Sequence, residues 1–347
     1  MRITSVVLVG LGSVGVDVGR TLCRREDCAV VGALDIQPAL HGRDVGELLG
    51  VSSSKGVVVG SIDALPRADV AFVATTSFVE PIEPLVTDLL SHGYNVVSIC
   101  EELGYPAHAH PEFSARVDEV ARAHGRSVVG TGCNPGMLMD TLPLLLSSLT
   151  QRVESVQIER ATQMVHYGHI LGKFGIGLTE VEFVQAQDEG RVIGHVGFAE
   201  SIAALASGLG WVLDTIEVDS PAPVFLTASE RIGDNFIVAP GTIAAVRHAA
   251  RGIRDGEPVI ELAVHFGFFE DGDPVVPGDR WLIEGEEQTL EFIAPRGLDS
   301  LQSTVAVASN AITAIVDTMP GLRTMADLPV AAVASKGAHR IESTTVA

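Results

Sequence analysis

The 347-residue chain predicts an α/β protein in two parts, a parallel-sheet domain followed by an α+β domain whose sheet is mostly antiparallel. Three observations carry that expectation. In the first part short apolar runs alternate with helical-period stripes, as in the strand–helix–strand units of a parallel sheet. The first apolar run leads directly into Gly10-Leu-Gly12-Ser13-Val14-Gly15, the turn of a Rossmann-type dinucleotide-binding domain. From about residue 150 longer β-rich segments replace the alternation.

Taken in order, the apolar runs predict strands over Ser5–Val9, Ala29–Asp35, Val70–Ala74, Asn95–Cys100 and Ser127–Gly130. Val79, Ile82, Leu85, Val86, Leu89 and Leu90 recur at helical spacing until Gly93 stops them, and Pro111 to His124 repeats the pattern before Gly125. Beyond these the sequence predicts a helix over Gly197–Gly208. Strands are expected over Val224–Ser229, Thr242–Arg251, Pro258–Phe269, Arg280–Glu284 and Thr289–Ile293. A long apolar helix covers Leu301–Val316. The domain boundaries expected from this are 1–140 for dinucleotide binding and 141–297 for substrate binding and dimerisation, with 298–347 packing back on the first.

Composition narrows the function. With 46% hydrophobic and 19% charged residues a sizeable core can form, and a net charge of −21 repels nucleic acid and anionic membrane surfaces. No apolar run approaches the roughly 18 residues of a membrane helix. The start, Arg2 to Val9, reads as a strand and not as a signal peptide. Cys23, Cys28, Cys100 and Cys133 are scattered, which fits reduced thiols in a cytoplasmic protein. His108-Ala-His110 lacks a clustered acid and reads as a solvated loop, so no metal is expected.

In the glycine turn each glycine has a reason: a tight turn, close backbone approach to a pyrophosphate, and close helix–strand packing. The helix that follows offers free N–H groups and the positive end of its dipole. Asp35 lies 20 residues past Gly15 and closes the second strand, where a carboxylate binds ribose hydroxyls and repels a 2′-phosphate. NAD is therefore the expected cofactor, with NADP left open by Arg20 and Arg43. Expected cofactor contacts are Gly10, Gly12, Ser13, Val14, Gly15, Asp35, the strand-end Ala74-Thr75-Thr76, and Asn134 in the loop Gly130-Thr-Gly-Cys-Asn134-Pro-Gly136.

The fourth strand ends in Ser98-Ile-Cys-Glu101-Glu102-Leu-Gly-Tyr-Pro106, which places two acids at the carboxyl edge of the sheet, where ligands bind in open α/β sheets. Successive side chains diverge, so one acid of the pair faces the crevice; we expect Glu102 to be the acid/base and Glu101 to support it. None of the tyrosines has a lysine four residues on, which excludes the Tyr-x-x-x-Lys mechanism, and there is no serine nucleophile elbow. In the second part, Arg160 to His169 ends a strand with polar groups able to converge on a ligand. His265 sits in the alternating run Glu261–Gly267.

At these residues the sequence resembles the 2,4-diaminopentanoate dehydrogenase and native amine dehydrogenase family, whose nucleotide domain is dihydrodipicolinate-reductase-like. The matching stretches are the glycine turn, Val97-Ser-Ile-Cys-Glu-Glu-Leu-Gly-Tyr-Pro106, Gly130–Gly136 and Met319–Pro329. The His-His-x-x-Lys motif and Ser-Gly-Thr loop of the true dihydrodipicolinate reductases are missing. The resemblance implies NAD(P)H-dependent, reversible reductive amination of a ketone or aldehyde by ammonia, in a homodimer and without metal. It implies a glutamate of the Glu-Glu stretch as acid/base, and Asn134, Arg160, Tyr167, His265 and Thr304 as pocket residues. His166 and His169 have no assigned role. Alternatives are another imine or amino-acid reductase, distinguished by ammonia independence, and a dinucleotide-binding regulator without turnover.

Overall fold

A computed structural model describes residues 2–329, so the final stretch of the expected 298–347 segment lies outside the described residues. The first sheet has seven parallel strands. They are β1 (Thr4–Val9), β2 (Cys28–Leu34), β3 (Val58–Val59), β4 (Val70–Val73), β5 (Asn95–Ser98), β6 (Ser127–Gly130) and, far along the chain, β16 (Gly321–Arg323). Their spatial order is β16-β6-β5-β4-β1-β2-β3. The order reverses at β1/β4, which opens a crevice at the carboxyl ends there.

Helices cover both faces, which is why the strands read as continuous apolar runs. Val6 and Leu8 of β1 face α1 (Ser13–Cys23) together with Val305, Ala308 and Ile312, which belong to the C-terminal helix described below. Val7 and Val9 face α3 (Val79–Ser91) and α4 (Pro111–Ala123). The short α2 (Val45–Leu49) buries Val45 and Leu49 in the α1 layer.

After β6, α5 (Thr141–Ser147) leads into β7 (Val153–Gln163), α6 (Glu180–Asp188) and α7 (Phe198–Gly208). The strands β8 (Thr215–Val218) and β9 (Ala222–Leu226), a hairpin β10 (Arg231–Gly233) and β11 (Phe236–Val238), then β12 (Ile243–Arg254), β13 (Glu257–Gly267), β14 (Gly278–Gly285) and β15 (Thr289–Ala294) follow. They build a second sheet, β15-β14-β7-β13-β12-β8, with β9 also on β12. Only β7 and β13 run parallel in it. One face is buried under α6 and α7: Val156, Ile158, Ile260, Leu262, Val264 and Phe266 pack against Phe183, Phe198, Ile202 and Leu205. The other face carries Gln157, Glu159, Arg247, Glu261 and Arg280.

The chain then returns to the first sheet. Helix α8 (Ser300–Ala314), N-capped by Asp299, lies against α1, and Arg25 donates to the Ser309 carbonyl and the Asn310 side chain. No helix among the described residues is long and apolar enough to cross a membrane.

Candidate active site

The turn between β1 and α1 is shaped by backbone proximity. Gly10 has φ +91°, and a Cβ there would stand 2.6 Å from the Ala74 carbonyl oxygen. A Cβ on Gly15 would strike the Gly10 carbonyl oxygen, so α1 can approach β1 this closely only with glycine. Gly12 differs: nothing lies within 4 Å of where its Cβ would be. It caps α1 without any side-chain hydrogen bond, which leaves the first amides of the helix facing open space. That bare, positively polarised cradle fits a pyrophosphate. Asp35 follows β2 directly, and its carboxylate accepts from Leu11 N–H at 2.8 Å and Gln37 N–H at 2.9 Å. It is thereby held beside the turn. Ser13 and Thr75 are exposed, Ala74 and Thr76 partly so, and Val14 reaches the substrate side of the crevice.

Past β5 the chain makes a single 3₁₀ turn, Glu101–Gly104, and this decides which acid faces the cavity. With about three residues per turn, neighbours on a 3₁₀ helix point some 120° apart. Glu101 lines the cavity. Glu102 turns away: its Oε2 accepts from Val79 N–H at 2.8 Å, capping α3, and lies 3.5 Å from His110 Nε2. The expectation that the second acid faces the crevice is corrected. A helix end whose N-cap residue, Phe78, offers no side-chain acceptor claims it. Burial pushes the Glu101 carboxyl up from the ordinary carboxylate range, opposed by the Ser77 hydroxyl and the Lys173 charge and assisted by Glu102. Behind the pair, Glu200 in the first turn of α7 is pushed up to about 7, first by burial and then by the charges of Glu102 and Glu101.

The cavity, about 200 Å³, opens from Val14 and Ile99 on the cofactor side to Phe174 and Phe266 on the other. Asn134, Tyr167 and Thr304 all line it. Thr304 Oγ1 accepts from Cys133 N–H at 3.1 Å, and Tyr167 Oη accepts from Leu301 N–H at 2.9 Å. The Tyr167 phenol is pushed up to about 12 by burial and by the Asp299 charge. A larger cleft of about 550 Å³, around Thr150, Trp211 and Arg254, shares no lining residue with this one.

Two expected pocket residues stand elsewhere. Arg160 is wholly buried beneath the floor, 3.2 Å from Asp279, and its Nη1 donates to Asn134 Oδ1 at 2.6 Å. Even-numbered residues of β7 face the helix-covered side, so Arg160 enters the core, where only Asp279 and surrounding acceptors make it tolerable. His265 lies on the opposite face of the second sheet, since Val264 and Phe266 are the ones turned to α7. There its Nε2 meets Glu159 Oε1 at 3.1 Å.

Sequence reasoning missed His195, which lines the cavity. Its Nε2 stands 3.2 Å from Asn134 Nδ2. A guanidinium only donates, so Arg160 fixes the Asn134 oxygen toward itself and turns the amide nitrogen to His195. His195 Nε2 is then the acceptor. Burial pushes this imidazole down to about 3, helped by His248 and Arg160, so it is neutral. Its flanking Gly194 and Gly197, both at positive φ, were the available signal. His166 pairs with Asp234 on the surface. Among the described residues no group of three or more His, Cys, Asp or Glu is placed to hold a metal ion.

The turn, the acid at the strand end and the second sheet beside them define an NAD(P)-dependent oxidoreductase. Residues 137–343 match the model of the 2,4-diaminopentanoate dehydrogenase C-terminal domain. The 2,4-diaminopentanoate dehydrogenase of Acetoanaerobium sticklandii is 30% identical over 95% of this chain and 94% of its own. The chain belongs to the 2,4-diaminopentanoate dehydrogenase family. An amine dehydrogenase of Streptomyces virginiae is 28% identical over 94% of this chain and 96% of its own. The structure of the amine dehydrogenase from Mycobacterium smegmatis shares the fold, with TM-score 0.81 and 23% identity over 95% of this chain and 97% of that one.

Proposed function

We propose that this protein is an NAD(P)H-dependent amine dehydrogenase that reversibly converts a ketone or aldehyde and ammonia into a primary amine. The observation that carries the reading is Glu101, a half-buried carboxyl raised by its surroundings, in a largely apolar cavity beside the glycine turn. A carboxylate suits a reaction that passes through a cation. Glu101 takes a proton from ammonium, freeing ammonia to attack the carbonyl carbon. It then returns a proton to the carbinolamine hydroxyl as water leaves, and its negative charge stabilises the resulting iminium. The Asn134 amide, oriented by Arg160, holds the reacting group against the crevice. When bound, the dinucleotide supplies the hydride. Gly10, Gly12, Ser13, Val14 and Gly15 would hold its phosphates, Asp35 its ribose, and Thr75 and Thr76 the nicotinamide side. Asp35 supports a preference for NAD. One relative is named for 2,4-diaminopentanoate, an amino acid, and another for an amine.

Residues 1–140 with α8 and β16 are read as the cofactor domain and 141–297 as the substrate domain. The second sheet's bare, charged face supports a homodimer formed through it; a monomer mass in light scattering at micromolar concentration would refute this.

Glu101→Gln keeps the size of the side chain but carries no proton. It should lower kcat by about 10²–10⁴ with NADH affinity nearly unchanged. Glu102→Gln should act mainly on stability by loosening the α3 cap. NADH oxidation with a ketone panel and ammonium, read at saturating cofactor, decides between them. Equal loss in both variants would remove the assignment, and turnover without ammonium would favour another imine or carbonyl reductase.

A further inference from the structure

We propose that the pocket selects an uncharged ketone or aldehyde and rejects a substrate that bears a carboxylate, such as the 4-oxo amino acid corresponding to 2,4-diaminopentanoate. The inference rests on the reductive-amination reading and names its substrate class.

The argument begins with Arg160. An arginine recognises a carboxylate by presenting two parallel N–H groups to it. That recognition is already used up inside the protein. Nη1 donates to Asn134 Oδ1 at 2.6 Å and to Ser300 Oγ at 3.2 Å. Nη2 donates to the Leu298 carbonyl at 2.9 Å and to Asp279 Oδ2 at 3.2 Å. Nε lies 3.2 Å from Asp279 Oδ1, an ion contact without hydrogen-bond alignment. Both side chains of the pair are 0% exposed. The floor is therefore neutral, and its cation holds the site together without reaching the substrate.

The second place an anion could bind is the start of α8, which forms one wall. Helix N-termini attract anions through their free amides. Here two of them are occupied, Leu301 N–H by Tyr167 Oη and Gln302 N–H by Asp299 Oδ1, and Ser303 N–H makes the regular helical bond to the Asp299 carbonyl. Asp299 also sets a negative charge at that end.

What remains around the cavity is negative or uncharged. Glu101 supplies a carboxylate, His195 is neutral, and no lysine or arginine is among the described residues that line it. Lys173 is exposed, and its charge acts on Glu101. Ile99, Met164, Ile170, Phe174 and Phe266 offer apolar surface to alkyl substituents. This balance favours a cationic iminium and repels a substrate carboxylate, with a cost that grows as the cavity excludes water.

A matched pair tests it. In 5-methylhexan-2-one an isopropyl group stands where 4-oxopentanoate has its carboxylate. With NADH and ammonium, kcat/KM should favour the neutral ketone by at least about 100-fold over both 4-oxopentanoate and 2-amino-4-oxopentanoate. Binding to the NAD⁺-loaded protein, followed by ligand-observed NMR without ammonium, should show the same order. Binding or turnover of either carboxylate within tenfold of the ketone, or no binding of the ketone, overturns the proposal. If no carbonyl oxidises NADH with ammonium, the reductive-amination reading falls, while the binding order still decides what the pocket accepts.

Discussion

The cofactor turn and the substrate pocket meet at one crevice but are built on opposite plans. The turn is contiguous and made of backbone: Gly10 to Gly15 and the end of β2 complete most of it. The pocket floor rests on side chains from segments far apart: beneath it one buried guanidinium, that of Arg160, joins Asn134, Asp279 and Ser300. The turn can lose a contact and remain folded, whereas the floor ties its function to its stability.

The largest effect should follow from breaking the floor. Arg160→Met leaves Asp279 buried and unpaired, and should cost about 3–5 kcal/mol. Arg160→Met with Asp279→Leu should recover most of this stability while activity stays low, because Asn134 is no longer oriented. Denaturant unfolding checks both. A single variant costing under about 1 kcal/mol would end the contrast.

Glu200 sharpens it through pH. Its carboxyl is raised to about 7, so the folded state holds the proton more tightly than the unfolded chain does. Its contribution is fully present below the ordinary carboxylate range and lost as pH rises through about 7. Glu200→Gln should therefore stabilise the protein at pH 8 by about 3 kcal/mol and change little at pH 4. Thermal unfolding across pH reads this, and a pH-independent difference would contradict it.

On the turn the effects should be smaller and confined to binding. Gly12→Ala places a methyl in the open cradle at an extended backbone geometry that alanine adopts freely. NADH affinity should fall about tenfold, roughly 1.4 kcal/mol, with unfolding shifted by less than about 0.5 kcal/mol. Calorimetric binding beside unfolding curves tests both halves. Smallest of all, Asp35→Ser should move the NADH/NADPH ratio of kcat/KM toward NADPH by several-fold. An unchanged ratio would remove Asp35 from cofactor choice.

The same contrast explains what could be read in the sequence. Strand β6 has the bounds the apolar run predicts, and β1, β2, β4 and β5 differ by a residue or two. Period-2 burial and glycine turns are local signals. Strand β16 has only three residues, too few to show a pattern. The choice between Glu101 and Glu102 depends on a 3₁₀ turn and on the uncapped end of α3, a contact made across the fold. His265 sat in a legible strand, but alternation alone does not say which face is covered. For Arg160 the sequence marked the position, and only Asp279, 119 residues away, determined its role.

Strand β16 also bears on how the molecule is made. It pairs with β6, and α8 seals the face over β1, yet both are encoded after the whole second sheet. On the ribosome the first 140 residues emerge with an open β6 edge and an uncovered apolar face, each a site for wrong pairing. The first sheet can close only when residues 300–323 have emerged. A fragment ending at residue 140 would aggregate, and restoring the 300–329 segment through a short linker would be the way to make that domain stand alone.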